Sequence, residues 1–402
     1  MIIKDFETFV VGNPPPRFGG RYFIFVKLLT DSGVVGYGEA YCATFGAKTV
    51  EAMLRDTAER FVVGRDPFHI EALWRSIYGA GYNLRPDVSL MAVLSALEMA
   101  CWDIIGKECG KPVYELMGGQ VHEKLRTYTY IYPDQGDVYP DENDAEHVYA
   151  NPERAAERAM RYVEQGFTAL KFDPAGAYTV FDGGMPTGSE LARSEAFMRT
   201  LREAVGGDVD LLFGTHGQFT PAGAIRLAQR IVPYDPLWIE EPVPPENAAE
   251  MAVVARATSI PVATGERLCT KYEFARVLEE GAAAILQLNL GRVGGLLEAK
   301  KIAALAEVKY AQIAPHLYCG PIVGAANIQL AACSPNFLIL EGIETWDGFH
   351  AALLDKPVNW QNGYVIPSAE PGLGVTLNEA VAREHPYEGD ELHLEMLTEP
   401  VR

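Results

Sequence analysis

Positive charge is in short supply in this chain: of 402 residues, 34 are Lys or Arg against 54 Asp or Glu, a formal net charge of −20. That balance repels phosphate backbones and anionic lipid at long range, so neither nucleic acid nor a membrane surface is expected as a partner. A small acidic ligand stays compatible, because a lysine or a bound cation makes one site locally positive. Cysteine is sparse as well. The six thiols, Cys42, Cys101, Cys109, Cys269, Cys319 and Cys333, form no CxxC pair and no zinc-like spacing. They read as small buried hydrophobes in a reducing compartment. The opening MIIKDFETFVVG lacks the basic segment and sustained apolar core of a secretory leader, and no run approaches the roughly 20 apolar residues of a spanning helix. The expectation is a cytoplasmic chain. Phosphate-cradling loops are missing too: TYTYIYPDQGD is no dinucleotide fingerprint. No Lys-Ser/Thr follows the glycines of GGMPTGS (183–189) or GRVGG (291–295), which read as a mobile loop and a tight strand-to-helix turn.

What is present is an ordinary globular composition, 48% apolar and 22% charged, arranged in two rhythms. IIKDFETFVV, RYFIFVKLLT and VVGYGEA alternate around turn signals as an antiparallel meander. The period then turns helical through VSLMAVLSALEMACWDIIGKECG, which stops at a glycine. Residues 1–120 are therefore expected to form an α+β unit. After it, eight β-type runs recur: LRTYTYIY, TALKFD, DLLFG, LWIEE, IPVATGE, AAILQLN, AQIAPH and FLILE. Equivalent ends at 214, 240, 266, 289, 316 and 341 are separated by 26, 26, 23, 27 and 25 residues, the length of one strand–helix unit. The class is α/β, a (β/α)8 barrel over 121–354. The segment 355–402 turns β-like again and is expected to return to the N-terminal unit as part of a capping domain. The acidic stretch 133–150 reads as a surface excursion.

In such a barrel the C-terminal strand ends share one mouth. Here they carry Lys171 and Asp173, His216, Glu240, Glu266, Asn289, His316 and Glu341, each following apolar residues. One polar residue at a strand end is unremarkable; a series on successive strands points to a shared site. Glu240 and Glu266, on adjacent strands, come close only if something offsets their repulsion, and a hard cation such as Mg2+ suits oxygen donors. Two histidines across the mouth give and take protons near neutral pH. Lys171 adds positive charge. Together these groups are equipment for removing a proton beside a carboxylate while a metal holds the developing charge.

At this point the sequence resembles the enolase superfamily, in its mandelate-racemase-like branch, and within it the gluconate, galactonate and arabinonate dehydratase type. The resemblance runs over essentially the whole chain: GYGEA, ALEMACWDIIGKECGKPVYELMGG, ALKFDP, THGQF, WIEEP, TGER, the VGG after strand six, and PGLGV. It implies a capping domain, a barrel, Mg2+ and proton abstraction alpha to a sugar-acid carboxylate, then loss of water to a 2-keto-3-deoxy acid. By position, Glu240 and Glu266 match the second and third metal ligands. His316 matches the base of a His–Asp dyad, His216 the histidine that protonates the departing hydroxyl, and Glu341 the acid that hydrogen-bonds the substrate carboxylate. Lys171 matches the first lysine of a KxK motif, and Asp173 stands where racemases place the second, which points to one-sided abstraction. Relatives assemble as homo-oligomers, from dimers to octamers.

Two positions break the pattern. Gly214 stands where the first metal ligand is expected, and Asn289 where the dyad aspartate is expected. An amide at 289 is still able to accept a hydrogen bond from imidazole but contributes no charge. Three readings stay open. One is a dehydratase whose Mg2+ site is completed by water, substrate or Asp173, with weakened affinity; another is a cycloisomerase or epimerase of the same branch. The third is a weakly metal-binding, non-catalytic homologue. The loop Asn13–Tyr22 is expected to cover the mouth, with Arg17 or Arg21 meeting an anionic or hydroxyl-rich substrate. His69, His122, His147, His350, His385 and His393 are read as structural or surface residues.

Overall fold

A computed structural model describes residues 1–134, 136–138, 145–176, 178–181 and 183–399. Part of the acidic stretch 133–150 lies outside the described residues. The N-terminal unit is a meander of β1 (Ile3–Gly12), β2 (Tyr22–Thr30) and β3 (Val35–Ala40), each antiparallel to the next. Against it pack α1 (Ala47–Phe61), α2 (Ile70–Tyr78) and α3 (Val88–Cys109). Asp87 caps α3 by accepting from the amides of Ser89 and Leu90, and Gly110 ends it at φ 62°, the left-handed residue a helix stop favours. Glycines in GYGEA have a steric cause. A Cβ on Gly36 or Gly38 would lie 2.1 or 1.8 Å from the carbonyl oxygens of Ala100 and Ala96, so β3 and α3 meet backbone to backbone. Contrary to the expectation from the sequence, α3 is long and apolar enough to cross a membrane; 83% of its apolar window is buried within this domain.

A short helix, α4 (Val113–Leu116), leads into the barrel. Its strands are β4 (Leu125–Tyr130), β5 (Ala169–Phe172), β6 (Asp210–Gly214), β7 (Trp238–Glu240), β8 (Val262–Thr264), β9 (Ile285–Leu286), β10 (Gln312–Ile313) and β11 (Leu340–Gly342). Neighbours pair in parallel from β4 to β10, β11 pairs back with β4, and a bridge from Ile313 to Phe337 closes the ring. The crossover helices are α5 (Pro152–Gln165), α6 (Gly188–Val205), α7 (Pro221–Ile231), α8 (Ala248–Ala257), α9 (Thr270–Glu280), α10 (Gly295–Val308) and α11 (Pro321–Ala332). Tyr128, Ala169, Leu212, Trp238, Ala263, Ile285, Ala314 and Ile339, one from each strand or its edge, fill the interior as a single buried cluster. The barrel is packed, not hollow.

After α12 (Gly348–Ala352), the C-terminal segment divides. A hairpin, β12 (Trp360–Gln361) and β13 (Tyr364–Val365), adds antiparallel to β4 and so belongs with the barrel. The remainder returns to the cap. There Glu379, which opens α13 (Glu379–Glu384), accepts from Lys27 at 2.5 Å and Tyr37 at 2.7 Å, and the backbone of His385 and Tyr387 bonds to Gly12 and Val10. The glycine-rich stretch 183–189, read as mobile, is tied down where described. Gly184 exchanges backbone hydrogen bonds with Gln218 and Thr220, and Thr187 caps α6 with a reciprocal Glu190.

Two buried carboxylates join cap to barrel. Glu39 accepts from the backbone amides of Gly320 (2.5 Å) and Val323 (2.9 Å) at the start of α11. Glu98 accepts from those of Leu296 (2.7 Å) and Leu297 (2.9 Å) at the start of α10. Each accepts from amides that the helix itself leaves unpaired, while burial raises the two carboxyls, Glu39 to about 8 and Glu98 to about 7. Replacing Glu98 by Ala is expected to lower unfolding free energy by about 2–4 kcal/mol, two buried amides losing their acceptors. Chemical denaturation checks it; a loss below ~0.5 kcal/mol would show that the contact holds nothing.

Candidate active site

The strand ends converge as the barrel geometry requires. Lys171 on β5 is enclosed and donates to Glu240 Oε1 on β7 at 2.6 Å, with Glu341 Oε1 on β11 at 3.7 Å. Burial alone would push the ammonium toward neutrality. The charges of Glu240, Glu341 and Glu266 overcome it and hold Lys171 well above its ordinary range. The other oxygen of Glu240 accepts from Trp238 Nε1 at 3.1 Å and Gln287 Nε2 at 2.7 Å. Glu341 Oε2 accepts from the Leu317 amide at 2.9 Å, and burial raises its carboxyl.

Glu266, just past β8, stands between the two imidazoles. Its Oε1 is 3.8 Å from His216 Nε2 and its Oε2 is 3.1 Å from His316 Nε2. Oε2 has no hydrogen bond of acceptable geometry. Burial would raise this carboxyl, yet His316, His216, Lys171 and Arg267 bring it far below the usual range. Burial leads in lowering His316 to about 4, so its imidazole is neutral at pH 7. His216 goes the other way. Burial opposes its charge, but Glu266 and Asp173 raise it to about 9.

The backbone at His216 has φ 46°, a left-handed conformation rare outside glycine and typical of constrained sites. Arg267 holds it there: one guanidinium nitrogen takes the His216 carbonyl at 2.9 Å while Nε takes Glu241 Oε1 at 2.7 Å. Glu241 is therefore an anchor for Arg267 and not part of the mouth.

Gly214 now has an explanation. A Cβ at this position would lie 3.1 Å from Asp173 Oδ2. The enclosed Asp173 carboxylate fills the space where a residue-214 side chain would begin, and it accepts from both Tyr178 Oη and His216 Nδ1. Negative charge is retained beside β6 but comes from β5.

At Asn289 the structure differs from expectation. The amide does not accept from His316; its Nδ2 donates to His316 Nδ1 at 2.8 Å, while Oδ1 accepts the Gly291 amide at 2.8 Å. Arg17 and Arg21 also depart from it. Arg17 pairs with Asp137 at 3.3 Å, and Arg21 reaches the Leu392 carbonyl and Glu395. These partners hold both side chains, and the loop reaches the mouth side: a Cβ on Gly19 would lie 3.0 Å from the Cys319 carbonyl. His122, His350 and His385 each bond a backbone carbonyl, as structural residues do.

Sequence reasoning missed Trp238, Gln287, Tyr178, Arg267 and Arg292. The first two were accessible, since alternation puts Trp238 on the face of Glu240 and Gln287 on that of Asn289. Arg292 is buried 3.8 Å above the Tyr41 ring, itself 6.2 Å from His316, and its Nε has no hydrogen bond.

The residues present fit a divalent cation. One ligand atom each from His216, Glu240 and Glu266 lie within 4.8 Å of one another, and the buried Glu266 Oε2 lacks a partner.

The sequence matches the profile of the enolase C-terminal domain-like family over residues 154–381 and that of the mandelate racemase/muconate lactonizing enzyme N-terminal domain over 18–118. The chain belongs to the enolase superfamily, in its mandelate racemase/muconate lactonizing enzyme family. Among family members, the D-gluconate/D-galactonate dehydratase of Picrophilus torridus is 33% identical over 97% of this chain and 95% of its own length. The D-galactonate dehydratase of Ralstonia nicotianae is 36% identical over 92% and 91%. A solved mandelate racemase/muconate lactonizing enzyme from Sulfitobacter is 51% identical, with a TM-score of 0.95 and full coverage of both chains. A solved homologue from Labrenzia alexandrii is 65% identical with a TM-score of 0.96, again over both whole chains.

Within this family fold, two outcomes test the site's electrostatics. Gly214→Asp sets a second carboxylate against Asp173 and is expected to cost about 2 kcal/mol or more, with Asp173→Asn recovering over ~1 kcal/mol of it in the double variant. Additive losses in urea titrations would refute the shared volume. His216 is raised from 6.5 to about 9. In the metal-free protein its stabilising contribution is therefore complete below about 6.5 and lost as pH rises through about 9. The gap in melting temperature between wild type and His216→Gln should narrow across that window; a constant gap would contradict it.

Proposed function

We propose that this chain is an acid-sugar dehydratase, removing the proton alpha to a sugar-acid carboxylate and expelling the β-hydroxyl as water to give a 2-keto-3-deoxy acid. The observation that carries this reading is the mouth itself. Two imidazoles flank one buried carboxylate, Glu266, beside Glu240 and Lys171, in a family whose sequence relatives include proteins named for dehydrating gluconate, galactonate and, in Haloferax volcanii, xylonate at 34% identity.

Glu240 and Glu266 would hold Mg2+, whose oxygen preference they match. When bound, the cation supplies positive charge against that building on the substrate carboxylate as the α-proton leaves. Lys171 adds a second fixed positive charge without diffusing away, because Glu240 anchors its ammonium at 2.6 Å. Glu341, whose carboxyl burial raises and Lys171 and the Leu317 amide lower, would hydrogen-bond the substrate carboxylate. His216 and His316 are the groups that hold or exchange protons; His316 is buried, while His216 stays partly open to solvent.

The test is a panel of C5 and C6 aldonic and aldaric acids, scored for keto-acid formation with Mg2+ and after chelation. At least one acid is expected to react, with activity falling at least about 100-fold on chelation or in Glu266→Gln. A metal-saturated protein that binds sugar acids yet yields no keto acid would identify a binding homologue. Isomerised or epimerised acid without water loss would identify the cycloisomerase or epimerase reading.

A further inference from the structure

We propose that Arg292 receives a second carboxylate of the substrate, so that the acid sugar is an aldaric acid, charged at both ends, and not an aldonic acid. The inference names the substrate class of the dehydratase reading and rests on it. It concerns a residue that the proton-transfer chemistry does not use.

The guanidinium is held from two sides. The chain turns tightly after β9, where the amides of Arg292 and Val293 both donate to the Asn289 carbonyl, at 3.1 and 2.9 Å. From the cap, the amide of Tyr41, just past β3, donates to the Gly291 carbonyl at 3.0 Å. A Cβ on Gly291 would lie 2.8 Å from that of Tyr41, so glycine is what lets cap and barrel loop meet this closely. The Tyr41 ring then lies 3.8 Å from the Arg292 guanidinium carbon and 6.2 Å from the His316 ring. Arg292 is thereby fixed at the border of the mouth, and its long side chain has little freedom left to lose when a ligand binds.

What this side chain lacks is an anion. In a chain with 54 acids against 34 bases, the other cations near the mouth have counter-ions: Lys171 has Glu240 at 2.6 Å, and Arg267 has Glu241. Arg292 is 8% exposed, and among the described residues no carboxylate pairs with it. Its guanidinium makes one hydrogen bond, a long one from Nη1 to the Glu266 carbonyl at 3.5 Å, and Nε makes none. The ring contact offsets part of the charge but accepts no N–H group as an oxygen would. A buried cation with idle donors is costly to the free protein. A carboxylate arriving with the ligand would accept from that N–H fork and offset the cost.

Its place around the barrel makes it the far end of a ligand. From β5 the ring runs through β6, β7 and β8 to β9 one way, and through β4, β11 and β10 to β9 the other. Strands β5 and β9 are therefore opposite one another. The first carries Lys171, beside the carboxylates of the reacting end; the loop after the second carries Arg292. Positive charge on two sides of one mouth matches a carbon chain with a carboxylate at each end. An aldonic acid ends in a neutral hydroxymethyl group and leaves the guanidinium without its counter-ion. Phosphate fits less well. The amides of Leu296 and Leu297, at the start of the helix that follows Arg292, already donate to Glu98, so no helix N-terminus joins the guanidinium in cradling a third oxygen.

The experiment pairs each aldaric acid with an aldonic acid of matching configuration, galactarate with galactonate and glucarate with gluconate, on the full-length, Mg2+-loaded protein. For each acid, keto-acid formation gives kcat/KM and titration calorimetry gives Kd. In the better pair the wild type should favour the diacid at least about 30-fold. Arg292→Met should bring that ratio below about 3-fold, chiefly through KM. Arg292→Lys keeps the charge and loses the fork, so its ratio should fall between the two. A merely structural role would lower turnover of both acids alike and leave the ratio in place, which overturns the proposal. A wild type that handles the aldonic acid as well as its diacid also overturns it, with the dehydratase reading intact. If no acid yields a keto acid, the dehydratase reading fails, and the Kd ratios still decide what Arg292 recognises. Diacids that bind no more tightly than their partners would then sink this inference as well.

Discussion

Four enclosed carboxylates at one barrel mouth, Asp173, Glu240, Glu266 and Glu341, set the terms for everything around them. Like charges in a medium of low polarizability repel strongly unless each finds its own compensation. Each does so differently. Glu240 is ringed by Lys171, Trp238 and Gln287; Asp173 is held by a phenol and an imidazole; Glu341 rests on a backbone amide; Glu266 has only imidazole edges and an open oxygen. That inequality separates scaffold from site. The well-compensated groups are fixed, and the poorly compensated one is where a cation has most to gain.

The barrel and the identity of its rim residues were legible in the sequence because closure by parallel pairing leaves little choice. Once eight apolar runs recur at the length of a strand–helix unit, the residue ending each run must face the common mouth, and Lys171, His216, Glu240, Glu266, Asn289, His316 and Glu341 follow. The direction of each hydrogen bond was not legible. Whether Asn289 gives or receives depends on the Gly291 amide, a turn geometry that residue types do not encode. The pairing of Asp173 with His216 depends on how the loop after β5 folds over β6. The β12–β13 hairpin escaped notice since two-residue strands carry too little alternation to read. Arg17 and Arg21 were expected to meet a substrate; their ion pairs with Asp137 and Glu395 were not legible, because cations in an acidic chain have many partners.

Gly214 illustrates how a missing side chain informs when it is read with its neighbour. Taken alone it suggests a weakened site. Beside Asp173 it marks a corner of the mouth where the carboxylate comes from the end of β5 and sits close to where a residue-214 side chain would begin. From there it reaches Nδ1 of His216.

The contacts of Glu39 and Glu98 with the starts of α11 and α10 bear on how a ligand gets in. Swinging the whole cap away as a door would pull two carboxylates off the helix ends that ground them, leaving four backbone amides bare in a dry seam. That route is closed. Ligand entry that leaves Glu39 and Glu98 seated on α11 and α10 spares those four amides, so the cap stays joined to the barrel on that side while the mouth fills and empties.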